Sequence, residues 1–252
     1  MLLTLRQLAL IAFFSCSLVA ARSASAQIDT TGRTHFYVTP YAWLSGITGD
    51  VGVRNVAVHV NVPFADVLKV LKFAAIGGVE ARRGPWLGSL DMLYVSLGAT
   101  KSVAIRGDTG SFSLKQRETI LQPMVGYSIG DTHWALDFLA GVRYWNLDVT
   151  LDVDRPRAQN ERSGSRSWVD AFGGARFRMI VAPRVHVVLG GDAGGGGSKG
   201  TWQAHGAVGY DVSSTVAVGV GYRNLDVNYD HDGVLFDTHT HGLAFGATWR
   251  FR

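Results

Sequence analysis

The chain has 252 residues, 47% of them hydrophobic, a formal charge of +4 and a single cysteine. So slight a positive balance is no nucleic-acid footprint, and one cysteine excludes both an internal disulfide and a thiolate metal cluster. Glycine is abundant (31) and proline scarce (6), while Trp, Tyr and Phe are plentiful; this suits one domain of many close-packed strands.

In chain order, Arg6 precedes an apolar run from Leu8 to Ala21 and then Ala24-Ser25-Ala26, a small-x-small cleavage pattern. Residues 1–26 therefore read as a signal peptide cut before Gln27, and residues 27–252 as the exported domain. The apolar run is about 14 residues, short of the ~20 that a spanning helix needs, and no later run is longer. Cys16 falls inside the signal and Arg6 and Arg22 leave with it, so the mature chain carries no cysteine and less charge.

Beyond the signal the dominant pattern is alternation with period two. Ten strands are expected, at about 34–46, 73–83, 86–100, 112–129, 133–150, 166–182, 185–193, 201–212, 215–229 and 238–251, with eight or twelve as neighbouring solutions. Tight turns are expected at Gly84-Pro85, Gly130-Asp131, Ala182-Pro183-Arg184 and Ser213-Ser214. Longer outer loops are expected at about 47–72, 101–111, 152–165, 194–200 and 230–238. In the first of these, Phe64 to Phe73 breaks the alternation and reads as a short amphipathic helix after Pro63.

Each strand has an apolar face. Trp134, Leu136, Phe138, Ala140, Val142 and Tyr144 oppose Asp137, Gly141 and Arg143; Leu243, Phe245, Ala247, Trp249 and Phe251 oppose Gly242, Gly246 and Arg250. Several of the second faces carry charge, which fits an apolar exterior in lipid around a polar interior. The aromatic pairs Trp86/Tyr94, Trp134/Tyr144 and Trp202/Tyr210 lie 8 to 10 residues apart, spanning roughly the ~25 Å between the girdles of a lipid-facing band. The expected fold is thus an all-β, antiparallel, up-and-down transmembrane barrel with both termini in the periplasm. A lipocalin-like secreted barrel is the structural alternative.

Assigned inward are Glu80, Asp91, Glu118, Asp137 and Asp170, against Arg82, Arg143, Arg176, Arg178 and Arg223. Equal numbers of both signs point to an ionic network that pairs and closes the lumen, not to a selectivity ring of one sign. Inward Tyr37, Tyr41 and Trp43 narrow it further. Residues 141–154 recur at 219–232 with 9 of 14 positions identical. Both copies end an ascending strand, and the apolar phase flips after the Tyr, through a bulge or a shift out of the bilayer. A duplicated ligand site is the other reading.

Asp230, Asp232, His239 and His241 cluster around one hairpin and form a candidate divalent-metal set, although a solvated rim would carry the same residues. The run Gly194-Gly195-Gly196-Gly197 lacks the context of a phosphate loop and reads as a hairpin tip. There is no Gly-x-Ser-x-Gly elbow. The expected function is that of a non-enzymatic barrel, either porin-like or a structural or interaction protein; the runner-up, a membrane-embedded lipid-modifying enzyme, would have to bring Ser165 or Ser167 to His239 or His241. No cofactor is expected.

Phe64-Ala65-Asp66-Val67-Leu68, Lys72-Phe73, Glu80-Ala81-Arg82-Arg83-Gly84, Trp86, Asp91 and Tyr94 resemble a family of largely uncharacterised Gram-negative outer-membrane barrels, OmpA/OmpW-like and often called porin-family proteins. The detailed resemblance covers about residues 36–97 and brings no catalytic residues. It implies an outer-membrane location, contact with membrane lipid and lipopolysaccharide, and recognition of the last strand by the barrel-assembly machinery. The chain departs from the usual aromatic ending in having Arg252 after Phe251.

Overall fold

The computed structural model describes residues 32–251 apart from 54–55, 106–107 and 156–157. The expected signal sequence, Cys16 and Arg252 lie outside the described residues. Eleven strands and one helix follow in order: β1 (Thr34–Val53), β2 (Val56–Val62), α1 (Phe64–Val70), β3 (Leu71–Arg83), β4 (Trp86–Ile105), β5 (Asp108–Gly130), β6 (Trp134–Arg155), β7 (Ala158–Ala182), β8 (Val185–Gly196), β9 (Gly200–Asp211), β10 (Val216–His231) and β11 (Val234–Phe251). Each pairs antiparallel with its sequence neighbour from β3 to β11, and β1 joins β3 on one side and β11 on the other. Ten strands therefore close into an up-and-down barrel. β2 is an eleventh strand, hydrogen-bonded to the outer part of β1.

The tight turns fall at one end, where Thr34 pairs with Arg83 and Phe36 with Phe251, so both chain ends lie there too. At Gly84 φ is +57°, a left-handed conformation that glycine adopts without a Cβ penalty. In the turn after β5, Asp131 accepts the backbone N–H groups of His133 (2.7 Å) and Trp134 (3.1 Å). These bonds hold its carboxyl below the usual range.

At the other end three of the five expected long loops, at 101–111, 152–165 and 230–238, are largely paired strand. β4 and β5 stay paired up to Ile105↔Asp108, β6 and β7 to Arg155↔Ala158, and β10 and β11 to His231↔Val234. These stretches read as loops because a strand standing in water has a polar outer face and loses its apolar marker. The helix is also shorter than expected: it ends at Val70, and Leu71 already belongs to β3.

Strand length explains the two zones that result. β6 has 22 residues; at ~3.3 Å per residue and a tilt near 40° it rises about 55 Å, roughly twice a ~25 Å lipid-facing band. Near the turn end the outer surface is apolar and exposed, with Trp86, Val125, Phe138, Val169, Leu189, Val218, Tyr222 and Phe251 among its residues. Farther out the same strands carry Asn146, Asp148 and Thr150 outward on β6, and Asn224, Asp226 and Asn228 on β10.

The inner face inverts at the same level. Arg143 on β6 is followed inward by buried Trp145 and Leu147, and Arg223 on β10 by buried Leu225, Val227 and Tyr229. These join Trp43, Leu93, Ile120, Trp168 and Phe236 in an apolar core. Trp168 stacks on Tyr229 at 4.1 Å and on Trp145 at 5.5 Å. The repeat at 141–154 and 219–232 is the sequence of this crossing. Register runs unbroken through both copies, so the polarity inversion is a strand leaving lipid for water and not a bulge.

β3 begins at Leu71, opposite Leu97 of β4. Beyond that level β4 pairs with β5 alone and β2 with β1 alone among the described residues. The outer zone thus has a seam between β2 and β4, and α1 contacts β1 and β4 there.

The inversion predicts opposite tolerances on neighbouring strands. Val218→Arg on the apolar exterior should cost about 2–4 kcal/mol in a bilayer, and Leu225→Ala in the outer core about 2–5 kcal/mol. Asp148→Asn, outward and in water, should stay within about 0.5 kcal/mol. Denaturant titration of the barrel in lipid vesicles measures all three; an Leu225→Ala as mild as Asp148→Asn would rule out a packed outer core.

Candidate functional site: the charged lumen

The inward face of the lipid-level zone carries charge, and the ladder determines which strands bring it together. Nearest the turn end, Asp137 of β6 is fully buried and receives three arginines, two from the adjacent β7 and one from β3 across the lumen. Arg82 of β3 reaches its Oδ2 at 2.9 Å, Arg176 of β7 the same oxygen at 2.9 Å, and Arg178 its Oδ1 at 3.1 Å. Ser128 donates its hydroxyl at 2.6 Å. Glu80 accepts from Arg82 (2.5 Å) and from Arg176 (2.7 Å). Two carboxylates thus serve three guanidiniums in a shared lattice, an arrangement that suits the planar five-donor fork of arginine.

A second layer lies farther out. Arg143 donates to Asp192 of β8 and to the Thr201 hydroxyl of β9, both at 2.6 Å. Gln203 donates to the other oxygen of Asp192 at 2.5 Å and accepts from Arg223 at 2.8 Å. Arg223 also donates to Gln122 (3.2 Å), to the Tyr41 hydroxyl (2.5 Å) and to Asp91 (3.4 Å), while Tyr41 donates to Asp91 at 3.0 Å. The two arginines of the repeat are therefore linked through Asp192 and Gln203 in one chain across the lumen. Each also lies over an aromatic ring, Arg143 over Phe172 (5.0 Å) and Arg223 over Trp43 (5.1 Å), where a cation gains from the ring quadrupole.

Between the layers is a cavity of about 370 Å³ lined by Glu80, Asp91, Gln122, Arg176, His186 and His205, among others. The two imidazoles fit only because of what they face. The ring of His205 sits against Gly190 and that of His186 against Gly209, and a Cβ at either glycine would overlap the ring.

The single network expected from sequence is thus two layers, and two of its ten residues stand outside both. Asp170 is buried but accepts from the Ser198 backbone N–H (2.7 Å) and Trp168 Nε1 (3.2 Å), so it anchors the β8–β9 hairpin. Glu118 points inward on β5 beside Ile120, with no ion pair among the described residues. Asp192, Gln122, Gln203 and the Asp211–Arg250 pair were not singled out. Gln203 was legible by parity, since it adjoins outward Trp202. Asp192 was not, because its strand reads Gly190-Gly191-Asp192-Ala193-Gly194 and marks neither face.

The candidate metal residues disperse. Asp230 pairs with Lys199 at 2.5 Å, which holds its carboxyl low. Asp232 occupies the β10–β11 turn at φ +52°. His239 bonds Asp226 at 2.7 Å, with the His241 ring 4.9 Å away on the outer face. No group of three or more such ligands forms among the described residues. Ser165 and Ser167 lie on β7, with three strands between it and β11, which carries His239 and His241.

No family model and no curated protein matches the chain. Among solved structures it is similar to the outer membrane protease OmpT of Escherichia coli, at 10% identity over 88% of this chain and 98% of that one, TM-score 0.55. The chain has the fold of an outer-membrane β-barrel. Weaker likenesses are to the translocator domain of the autotransporter NalP of Neisseria meningitidis (11% identity, 89% and 91% covered, TM-score 0.46) and to Ail of Yersinia pestis (10% identity, 86% and 98% covered, TM-score 0.37). At such identities the likeness is one of fold alone.

The Arg143–Asp192 pair predicts a non-additive response. Arg143→Ala leaves Asp192 buried with only Gln203 and should cost about 3–5 kcal/mol, whereas the Arg143→Met/Asp192→Leu double variant, which buries no charge, should cost less. Unfolding in detergent-lipid mixtures gives the comparison; a double variant at least as unstable as the single one would contradict it.

Proposed function

We propose that the protein is an integral outer-membrane barrel with a closed lumen, working as a structural or interaction platform and not as an open pore. The turn end and both termini face the periplasm, and the tall hairpins stand outside the cell. Export by the residue 1–26 signal and assembly through β11 accompany this reading, with outer-membrane lipid and lipopolysaccharide as its surroundings.

One observation carries the proposal: the section is crossed by two layers of mutually bonded side chains, and the apolar core around Trp43, Trp145 and Trp168 lies beyond them. A passive diffusion pore needs a continuous wet path, and ten strands enclose a space nearer the size that side chains fill than that of a 16-stranded channel. Charges in so narrow a space stay there because they are paired; a lone one would carry a penalty of several kcal/mol. On this reading no residue has a catalytic role, and what differs from one such protein to another is the outer surface.

Heat-modifiable gel migration and resistance to carbonate extraction should identify the folded barrel in membranes. In planar bilayers the unmodified protein should pass little current. The triple substitution Trp43→Ala/Trp145→Ala/Arg223→Ala, which removes the core's centre and the hub of the second layer, should raise conductance. A large, steady, ion-selective current from the unmodified protein would overturn the closed lumen.

A further inference from the structure

The outer rim is electrically lopsided. On the side formed by β10, β11, β1 and β2, the outward residues just beyond the apolar band include Asp226, Asp237 and Asp50, with His239, His241 and His59. Asp226 bonds His239, and Asp50 bonds His59 at 2.8 Å. Across the seam from β2, at its base, the outward residues are cationic. Lys115 of β5 is the ladder partner of Gly98 on β4, and Arg117, two residues along on the same face, is the partner of Ser96. The stem of Lys72 lies across Gly98, its Cε 3.1 Å from where a Cβ would stand.

All three cations are exposed, and none has an ion-pair partner among the described residues. Asp148, the ladder neighbour of Arg117, is the nearest outward carboxylate on β6. Directly below them are Phe73 and Tyr94, with ring centres 5.9 Å apart. Phe73 is 57% exposed, as befits an aromatic at the lipid boundary. Ser96, Thr119 and Asn146 add neutral polar groups on the same outer face.

We propose that Lys72, Lys115 and Arg117 form a site for the phosphate groups of a phosphorylated glycolipid in the outer leaflet, whose acyl chains lie along Phe73 and Tyr94. The proposal rests on the reading of the protein as an integral membrane barrel. Position and chemistry fit together here. A phosphate at the headgroup level meets two ammonium groups and one guanidinium within about 7–10 Å, and the guanidinium accepts phosphate as a fork. The acidic strands on the other side of the seam offer no such place, so a lipid of this class would bind one flank of the barrel.

The test uses the folded full-length mature barrel in zwitterionic detergent, with binding read by native mass spectrometry. Diphosphoryl lipid A, the same lipid stripped of phosphate, phosphatidylethanolamine and inorganic phosphate are the probes. The diphosphoryl lipid should be retained in preference to the other three. The Lys72→Gln/Lys115→Gln/Arg117→Gln variant should bind it about 100-fold more weakly. Lys72→Arg/Lys115→Arg/Arg117→Lys should retain it, and Asp50→Asn/Asp237→Asn should leave it unchanged. Heat-modifiable migration shows that each variant is folded. Equal binding of phosphorylated and stripped lipid, equal binding by the triple Gln variant, or displacement by inorganic phosphate at equal concentration would overturn the site while leaving the membrane reading intact. Release of the protein from membranes by carbonate would overturn the membrane reading, and the site with it.

Discussion

A strand that passes from lipid into water without leaving its ladder must exchange the polarity of its two faces, and the rest of this molecule depends on that exchange. In lipid the outer face has to be apolar and the inner face is free to hold charge. In water the outer face has to be polar, and the barrel then needs an interior that holds it together. Val218, Val220 and Tyr222 outside with Arg223 inside, followed by Asn224 and Asp226 outside with Leu225 and Val227 inside, carry out the exchange within one strand. β6 repeats it. Two proteins of opposite design, a membrane barrel and a soluble one, are in this sense built on the same strands.

The charged layers follow from the narrowness of the lower part. Ten strands leave too little room for bulk water to solvate ions and too much for backbone to fill alone. Long arginines from several strands span the gap and meet a minority of carboxylates. Asp137 is the centre of one layer and Asp192 a bridge in the other. Their fixed orientation comes from the wall: the glycines at 190 and 209 give space to the imidazoles, and the aromatic rings beneath Arg143 and Arg223 limit where the guanidiniums lie.

Most of the barrel was legible in sequence because lipid imposes the clearest alternation a strand can have. The faces of Trp134 to Tyr144 and of Leu243 to Phe251, the tight turns and the strand number could all be read from it. The pattern became unreadable where water takes over outside. Asn146, Asp148 and Thr150 look like loop residues until Trp145, Leu147 and Val149 are seen as the face that now matters. The lumen was half legible for a related reason. Parity tells which charges face inward, but pairing depends on how far the strands are staggered. That is why Asp170, Arg143's ladder partner, turns out to bond a hairpin backbone while Asp192 takes the arginine.

The seam between β2 and β4 makes the outer zone a split collar. In lipid such an opening would leave peptide groups without partners at several kcal/mol each, so the lower ring has to be continuous. In water the free edges are solvated, and the cut is inexpensive. A continuous ring resists any change of circumference because every ladder must stretch at once, whereas a cut ring opens and closes by bending. The outer zone can therefore alter its bore while the membrane zone keeps its own, and α1, lying between β1 and β4, is the element that such breathing would strain first.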